Sequence, residues 1–257
     1  MSPSLRRSPA FILLACCSMF GCVTDPGHMD PPGPEVPSDV EEAQGEITVT
    51  EAYDRRRIHG WPVLVNPRLM EDPELERRTI ELLTDHLYRI TRAVPSPALS
   101  RLQDVEIWVE EDTPWTRCMC YHVSPEWLVS NGYNPEKAGA IEVGNAEAFL
   151  DWTHAQPWMV LHELAHAYHF QVLGVDNPDV IAAWKDRLDT GDFEEVLHIS
   201  GDQRSHYALT NPTEYFAETT ESYFGTNDFH PFVRAELKQV DPAGYDLMES
   251  TWMAQAN

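Results

Sequence analysis

Trp158-Met-Val-Leu-His162-Glu163-Leu-Ala-His166-Ala-Tyr-His169 is an apolar stretch carrying two histidines four residues apart, with a glutamate beside the first. Four residues advance a helix by about 40° beyond a full turn, so His162 and His166 project from one face. Two neutral imidazoles on one face suit Zn2+, and Glu163 stands where it can take a proton from zinc-bound water. A charged glutamate flanked by histidines inside an apolar helical pattern is costly unless it serves a purpose. The stretch reads as a zinc-binding helix with His162 and His166 as ligands and Glu163 as general base.

A tetrahedral catalytic zinc needs a third protein ligand and an open position. Metzincins would need glycine at position 169 and histidine at 172, but the chain has His169 and Val172. A third histidine on one rigid helix closes a tetrahedron poorly, so His169 reads as a residue supporting the site or lying on the surface. The better source is Asn211-Pro212-Thr213-Glu214-Tyr-Phe-Ala-Glu218-Thr-Thr-Glu221. Asn211 is a natural N-cap and Pro212 a natural first helical residue. Glu214, Glu218 and Glu221 then share one face, interleaved with Tyr215, Phe216, Tyr223 and Phe224, as in a helix packed inside a domain. Glutamates four apart allow one carboxylate to bind zinc while the other fixes a ligand histidine, and periodicity leaves open which does which.

HELAHAYH at 162–169 and EYFAE at 214–218 together resemble the gluzincin branch of zinc metallopeptidases. The resemblance is nearest to the catalytic domain of anthrax lethal factor and its relatives, including the Mlc titration factor group, and covers roughly residues 140–225. It implies a zincin-like α+β domain, one catalytic Zn2+, and His162, His166 and Glu214 as its ligands. It further implies Glu163 as the base, Glu218 as support for a zinc-binding histidine, and Tyr207, seven residues before Glu214, as the oxyanion donor, with His206 beside it. The toxin's substrate-recruiting domain has no counterpart here. The implied activity is peptide-bond hydrolysis. The alternative is a non-proteolytic zinc-binding envelope protein that holds a partner in the same cleft.

The flanking sequence supplies the rest of an α+β fold. Ile47, Val49 and their neighbours, then Trp61–Val65, read as two strands or a hairpin, and Glu74–Val94 as a long amphipathic helix ended by Pro95 and Pro97. Val105–Val109 and Ala140–Val143 read as strands. The latter is expected to offer an edge to an extended peptide, with Asn145 and Trp152 near it. Past Trp158 only helices are expected, over about 157–173, 178–189, 212–224, 229–239 and 242–253. Strands and one helix followed by a helical C-terminal half place a cleft between the two halves. Cys118 and Cys120 are too sparse for a disulfide framework and read as partly buried thiols or a strained local disulfide.

Residues 1–22 read as an export signal, with Arg6 and Arg7 ahead of the apolar run Ala10–Phe20. Met19-Phe20-Gly21-Cys22 resembles a bacterial lipobox, which makes Cys22 the lipidated residue. Residues 23–45 form an acidic, proline-rich tether, because a segment with five prolines, six acids and no lysine or arginine buries too little surface to order itself. The catalytic domain then spans 46–257, and the expected location is the bacterial cell envelope, as a lipoprotein or secreted. No apolar run reaches the roughly 18 residues of a membrane span. With 42 acidic against 18 basic side chains and a formal charge of −24, the 257-residue chain is a poor partner for nucleic acid, and the resemblance implies a peptide or protein substrate. Mass spectrometry of the mature chain is expected to find a lipidated Cys22 at the N-terminus; an unprocessed Met1 would contradict the export reading.

Overall fold

The computed structural model describes residues 47–253, apart from 114, 115 and 117. The export signal, Cys22 and the tether lie outside the described residues. In chain order the fold runs β1 (Asp54–Ile58), β2 (Trp61–Val65), α1 (Pro67–Met70), α2 (Pro73–Ala93), α3 (Ser96–Gln103) and β3 (Ile107–Val109). It continues with β4 (Met119–Tyr121), α4 (Pro125–Ser130), β5 (Ile141–Val143), α5 (Ala146–Trp152), α6 (Met159–Tyr168) and α7 (Pro178–Thr190). The last part holds β6 (Val196–Leu197), β7 (Gln203–Arg204), α8 (Pro212–Phe224), α9 (Arg234–Val240) and α10 (Pro242–Met248).

Many of these helices start by one chemical rule. Asn66, Asp72, Ser124, Asn177, Asn211 and Asp241 each cap a helix, accepting backbone N–H bonds, and each is followed by proline at the first helical position. The side-chain oxygen satisfies an orphan amide, and proline's missing N–H costs nothing there.

Strands β1 to β5 form one sheet in the order β1-β2-β3-β5-β4. The inner pairs β2/β3 and β3/β5 are parallel, and the outer pairs β1/β2 and β5/β4 are antiparallel. Side chains alternate between the two faces. Val63, Val65, Ile107, Val109, Ile141, Val143, Met119 and Tyr121 join the main core, beneath the helices. The register sets Leu64, Trp108, Glu142 and Cys120 in a row on the opposite face. No helix of the described residues is long and apolar enough to cross a membrane.

The architecture is α+β, as expected, with local differences. The first strand lies at 54–58 rather than around 47–49, because its turn is His59-Gly60, both at positive φ. The C-terminal half is not purely helical: β6 and β7 pair as a two-residue ladder too short to leave a periodic signal. The expected substrate edge is also moved. Strand β5 is bonded on both sides, so it has no free edge, and the edge strand is β4. Asn145 caps α5 instead, accepting the Ala148 N–H. Trp152 is partly buried against the core.

Helices α6 and α8 meet where Gly225, just after α8, passes Trp158, which caps α6. A Cβ on Gly225 would lie 1.9 Å from the Trp158 ring. Gly225→Ala is therefore expected to lower stability by about 1–3 kcal/mol through overpacking, read as a shifted urea midpoint at unchanged slope.

Candidate metal centre

Helix α6 is buried along nearly its whole length, with Glu163 the partly exposed exception. An apolar surround on this scale holds polar side chains only where they find partners. The partners come from α8, which packs across α6. Asn211 Oδ1 accepts the N–H groups of Thr213 and Glu214, each at 2.9 Å, and so fixes the first turn that carries Glu214.

The Glu214 carboxylate points at both histidines. Its Oε2 lies 3.2 Å from His162 Nε2 and 3.3 Å from His166 Nε2, and one donor atom from each of the three residues falls within 4.8 Å of the others. Tetrahedral zinc with bonds of about 2.0–2.2 Å to nitrogen and oxygen separates its ligand atoms by roughly 3.3 Å. The donor set and its spacing thus fit Zn2+ with a position left for solvent or substrate.

Electrostatics agree with the spacing. Burial would raise the Glu214 pKa, but the neighbouring His166 and His162 outweigh it and hold the carboxyl below its usual range. Burial would lower the pKa of His162, yet its contacts with Glu214 and Glu221 hold it well above the ordinary histidine value. The anionic surround that would keep a proton on this imidazole equally favours a divalent cation in the proton's place.

Behind His162 stand the other two glutamates of α8. Glu221 Oε1 lies 2.8 Å from His162 Nδ1, whereas Glu218 Oε1 is at 3.6 Å. The nearer contact belongs to Glu221, which sets the hydrogen on Nδ1, so that a cation replacing the Nε2 proton would meet the Nε2 lone pair beside Glu214. The family resemblance implied Glu218 for this supporting role. Its second oxygen is instead bonded by Asn227 Nδ2 at 3.0 Å, and burial with nearby Asp228 and Glu221 raises its pKa well above the carboxylate range. Burial likewise pushes Glu221 up, offset in part by His162, to about 7. Glu221 had the right face in the sequence, but nothing in an i, i+4, i+7 pattern ranks three glutamates by distance.

The remaining candidates are placed as follows. Glu163 and Tyr207 line one cleft together with His162, His166, Glu214 and residues of β4; its volume is about 710 Å3, counting open solvent at the mouth. Tyr207 starts a 3-10 turn, Tyr207–Leu209, which leads into the cap of α8. His206 is buried beside it, with its ring stacked between Phe193 and Phe229 and its Nδ1 accepting the Ala208 N–H. Burial, with His230 nearby, lowers its pKa to about 3, so it stays neutral and caps the turn that carries Tyr207. His169 is fully buried against Phe216, at the start of a π-helical turn, and is not a surface residue.

No family model matches the chain, and no curated protein does. Among solved structures, the PRO-PRO endopeptidase PPEP-2 from Paenibacillus alvei is similar at 20% identity and a TM-score of 0.37, over 66% of this chain and 89% of that one. A likeness this loose carries no functional argument. The resemblance to lethal factor and the Mlc group stands on the two motifs alone.

Zinc retained after dialysis against a weak chelator separates the roles of the three glutamates. Glu214→Ala should lose the metal. Glu221→Ala should weaken its hold by about 10–100-fold, and Glu218→Ala by less. Equal losses for Glu218→Ala and Glu214→Ala would contradict the geometry.

Proposed function

We propose that the chain is an exported zinc-dependent metallopeptidase with a zincin-like fold, in which His162, His166 and Glu214 hold one catalytic Zn2+. The observation that carries this reading is the convergence of three buried donor atoms within 4.8 Å of one another, with Glu163 and Tyr207 on the wall of the same cleft. When bound, zinc supplies Lewis acidity, polarising a carbonyl and lowering the pKa of its water ligand towards 7.

The chain's own residues supply the rest. Glu163 accepts the proton of the attacking water and passes it to the leaving amine. Tyr207 donates its hydroxyl hydrogen to the oxyanion of the tetrahedral intermediate. Glu221 holds the His162 ring against rotation through Nδ1.

Strand β4 is the part that can align a peptide. Gly144 N–H bonds to Cys118 O, and His122 N–H bonds to Ala140 O. Hydrogen-bonded pairs recur every second residue in an antiparallel ladder, so Cys120 also turns its backbone towards β5. Met119 and Tyr121 then turn their N–H and C=O groups outward along the cleft, where an extended substrate can pair with them. The cleft wall also carries the apolar Met119, Val123, Met159 and Phe170 with Tyr121, beside the polar Gln156 and Thr213.

Cleavage of a diverse peptide library by the 47–253 body tests the proposal. Glu163→Gln is expected to keep one zinc and lose at least a thousandfold in kcat/KM, about 4 kcal/mol in barrier. Stoichiometric zinc with no cleavage by the wild type would turn the reading to a zinc-containing protein that binds a partner in this cleft. Absence of stoichiometric zinc would overturn both.

A further inference from the structure

The far face of the sheet, opposite α6, carries a second cluster of ionisable groups that the peptidase reading does not use. Cys120 and Glu142 are cross-strand partners in the β4/β5 register, and His122 follows two residues later on the same face. His122 Nε2 lies 2.5 Å from Glu142 Oε2. The other oxygen of Glu142 binds Lys137 Nζ, which also reaches Glu110 Oε1 at 2.6 Å. Glu110 Oε1 in turn accepts the Tyr53 hydroxyl at 2.7 Å, and its Oε2 accepts from Asn66 Nδ2.

The charges of this cluster decide the state of His122. Glu110, Glu142 and Lys137 are 3%, 0% and 4% exposed, so two carboxylates face one ammonium with almost no water to screen the excess. Tyr53 and Tyr133 do not alter the sum, because burial raises both phenol pKa values and keeps them neutral. Burial works against the Glu142 charge, yet Lys137 and His122 hold its pKa below the usual range. An imidazolium at His122, donating to Glu142, balances that excess.

That imidazolium also faces a thiol. Cys120 Sγ lies 3.5 Å from His122 Nε2 and 3.9 Å from Nδ1, with the Thr116 hydroxyl at 3.6 Å. A cationic ring at this distance favours thiolate over thiol. Metal binding is the rival use of a Cys-His-Glu group. The 2.5 Å between His122 and Glu142 is a hydrogen-bond distance, well short of the roughly 3.3 Å between two ligands of one tetrahedral zinc. Cys120 is partly exposed and belongs to the edge strand that rims the cleft, whereas Cys118 is buried with its sulfur 3.3 Å from Met159 Sδ.

We propose that Cys120 is a nucleophilic modification site, a thiolate held by the His122 imidazolium and reactive towards hydroperoxides. The sulfur attacks the terminal, hydrogen-bearing oxygen of the hydroperoxide, and the O–O bond breaks as the S–O bond forms. The departing alkoxide takes the proton from His122 and leaves as the alcohol. The sulfur is oxidised by two electrons to sulfenic acid while the hydroperoxide is reduced. The site is independent of the zinc reading and stands or falls without a cleavage assay.

Iodoacetamide labelling of the full chain at pH 6, with the label mapped by peptide mass, tests the thiolate. An ordinary thiol of pKa about 8.5 is only about 0.3% ionised at that pH, so full ionisation gains some 300-fold. The weaker nucleophilicity of a low-pKa thiolate returns about 30-fold of that, leaving a net gain near tenfold. Cys120 is expected to react about tenfold faster than glutathione, and Cys118 to stay unlabelled. His122→Gln should bring Cys120 down to the glutathione rate, and hydrogen peroxide with a sulfenic-acid trap should mark Cys120 alone of the two. A wild-type Cys120 no faster than glutathione would overturn the proposal, even if His122→Gln fails to fold. So would a folded His122→Gln variant that labels at the wild-type rate.

Discussion

The contact between α6 and α8 is the constraint on which the rest depends. Helix α8 brings Glu214, Glu218 and Glu221 into the interior at 5%, 1% and 1% exposure. An ionised carboxylate costs several kcal/mol to bury without partners, so α8 can sit there only against groups that answer its charges. His162 and His166 answer Glu214, His162 also answers Glu221, and Asn227 binds Glu218, whose pKa burial and the nearby Asp228 and Glu221 raise. The histidines of α6 and the glutamates of α8 are therefore conditions of each other's burial. The gathering of the three donor atoms within 4.8 Å of one another is the form this mutual burial takes.

The sheet plays the complementary part. Its inner strands are short and apolar on the helix face, which fixes β4 beside α6 and gives the cleft one rigid wall. Its opposite face is not apolar. There the row Leu64, Trp108, Glu142 and Cys120 ends in a buried network of Tyr53, Glu110, Lys137 and His122. Such a network is stable only when its members are satisfied, and the bonds among these residues show how far that is achieved. The two faces of one strand thus serve different chemistries, with backbone turned to the cleft and the Cys120 side chain turned to the ion network.

Much of this was legible in the chain, for reasons that differ from residue to residue. His162, Glu163 and His166 could be read because a helix turns four residues into one face, and α6 is that helix. The start of α8 could be read from Asn211-Pro212, whose chemistry admits little else. Glu214 came from a family likeness, and its place between the histidines depends on how α8 crosses α6, which no local pattern encodes. For the same reason Glu221 was passed over for Glu218. Strand β4 is not legible because Met119-Cys-Tyr121 lacks the β-branched residues that mark β3 and β5, and the edge is not legible because strand order in a sheet is set by long-range pairing. Short helices such as α3, α4 and α5 were missed for want of length, although Ser124-Pro125 and Asn145 mark the starts of two of them.

X-ray absorption at the zinc edge of the purified protein tests the central claim most directly. Coordination by His162, His166 and Glu214 predicts nitrogen and oxygen neighbours at about 2.0–2.2 Å, with the outer scattering pattern of two imidazoles and no sulfur. A sulfur neighbour at about 2.3 Å would place the metal at Cys120 instead, and would contradict the account of how α6 and α8 hold each other.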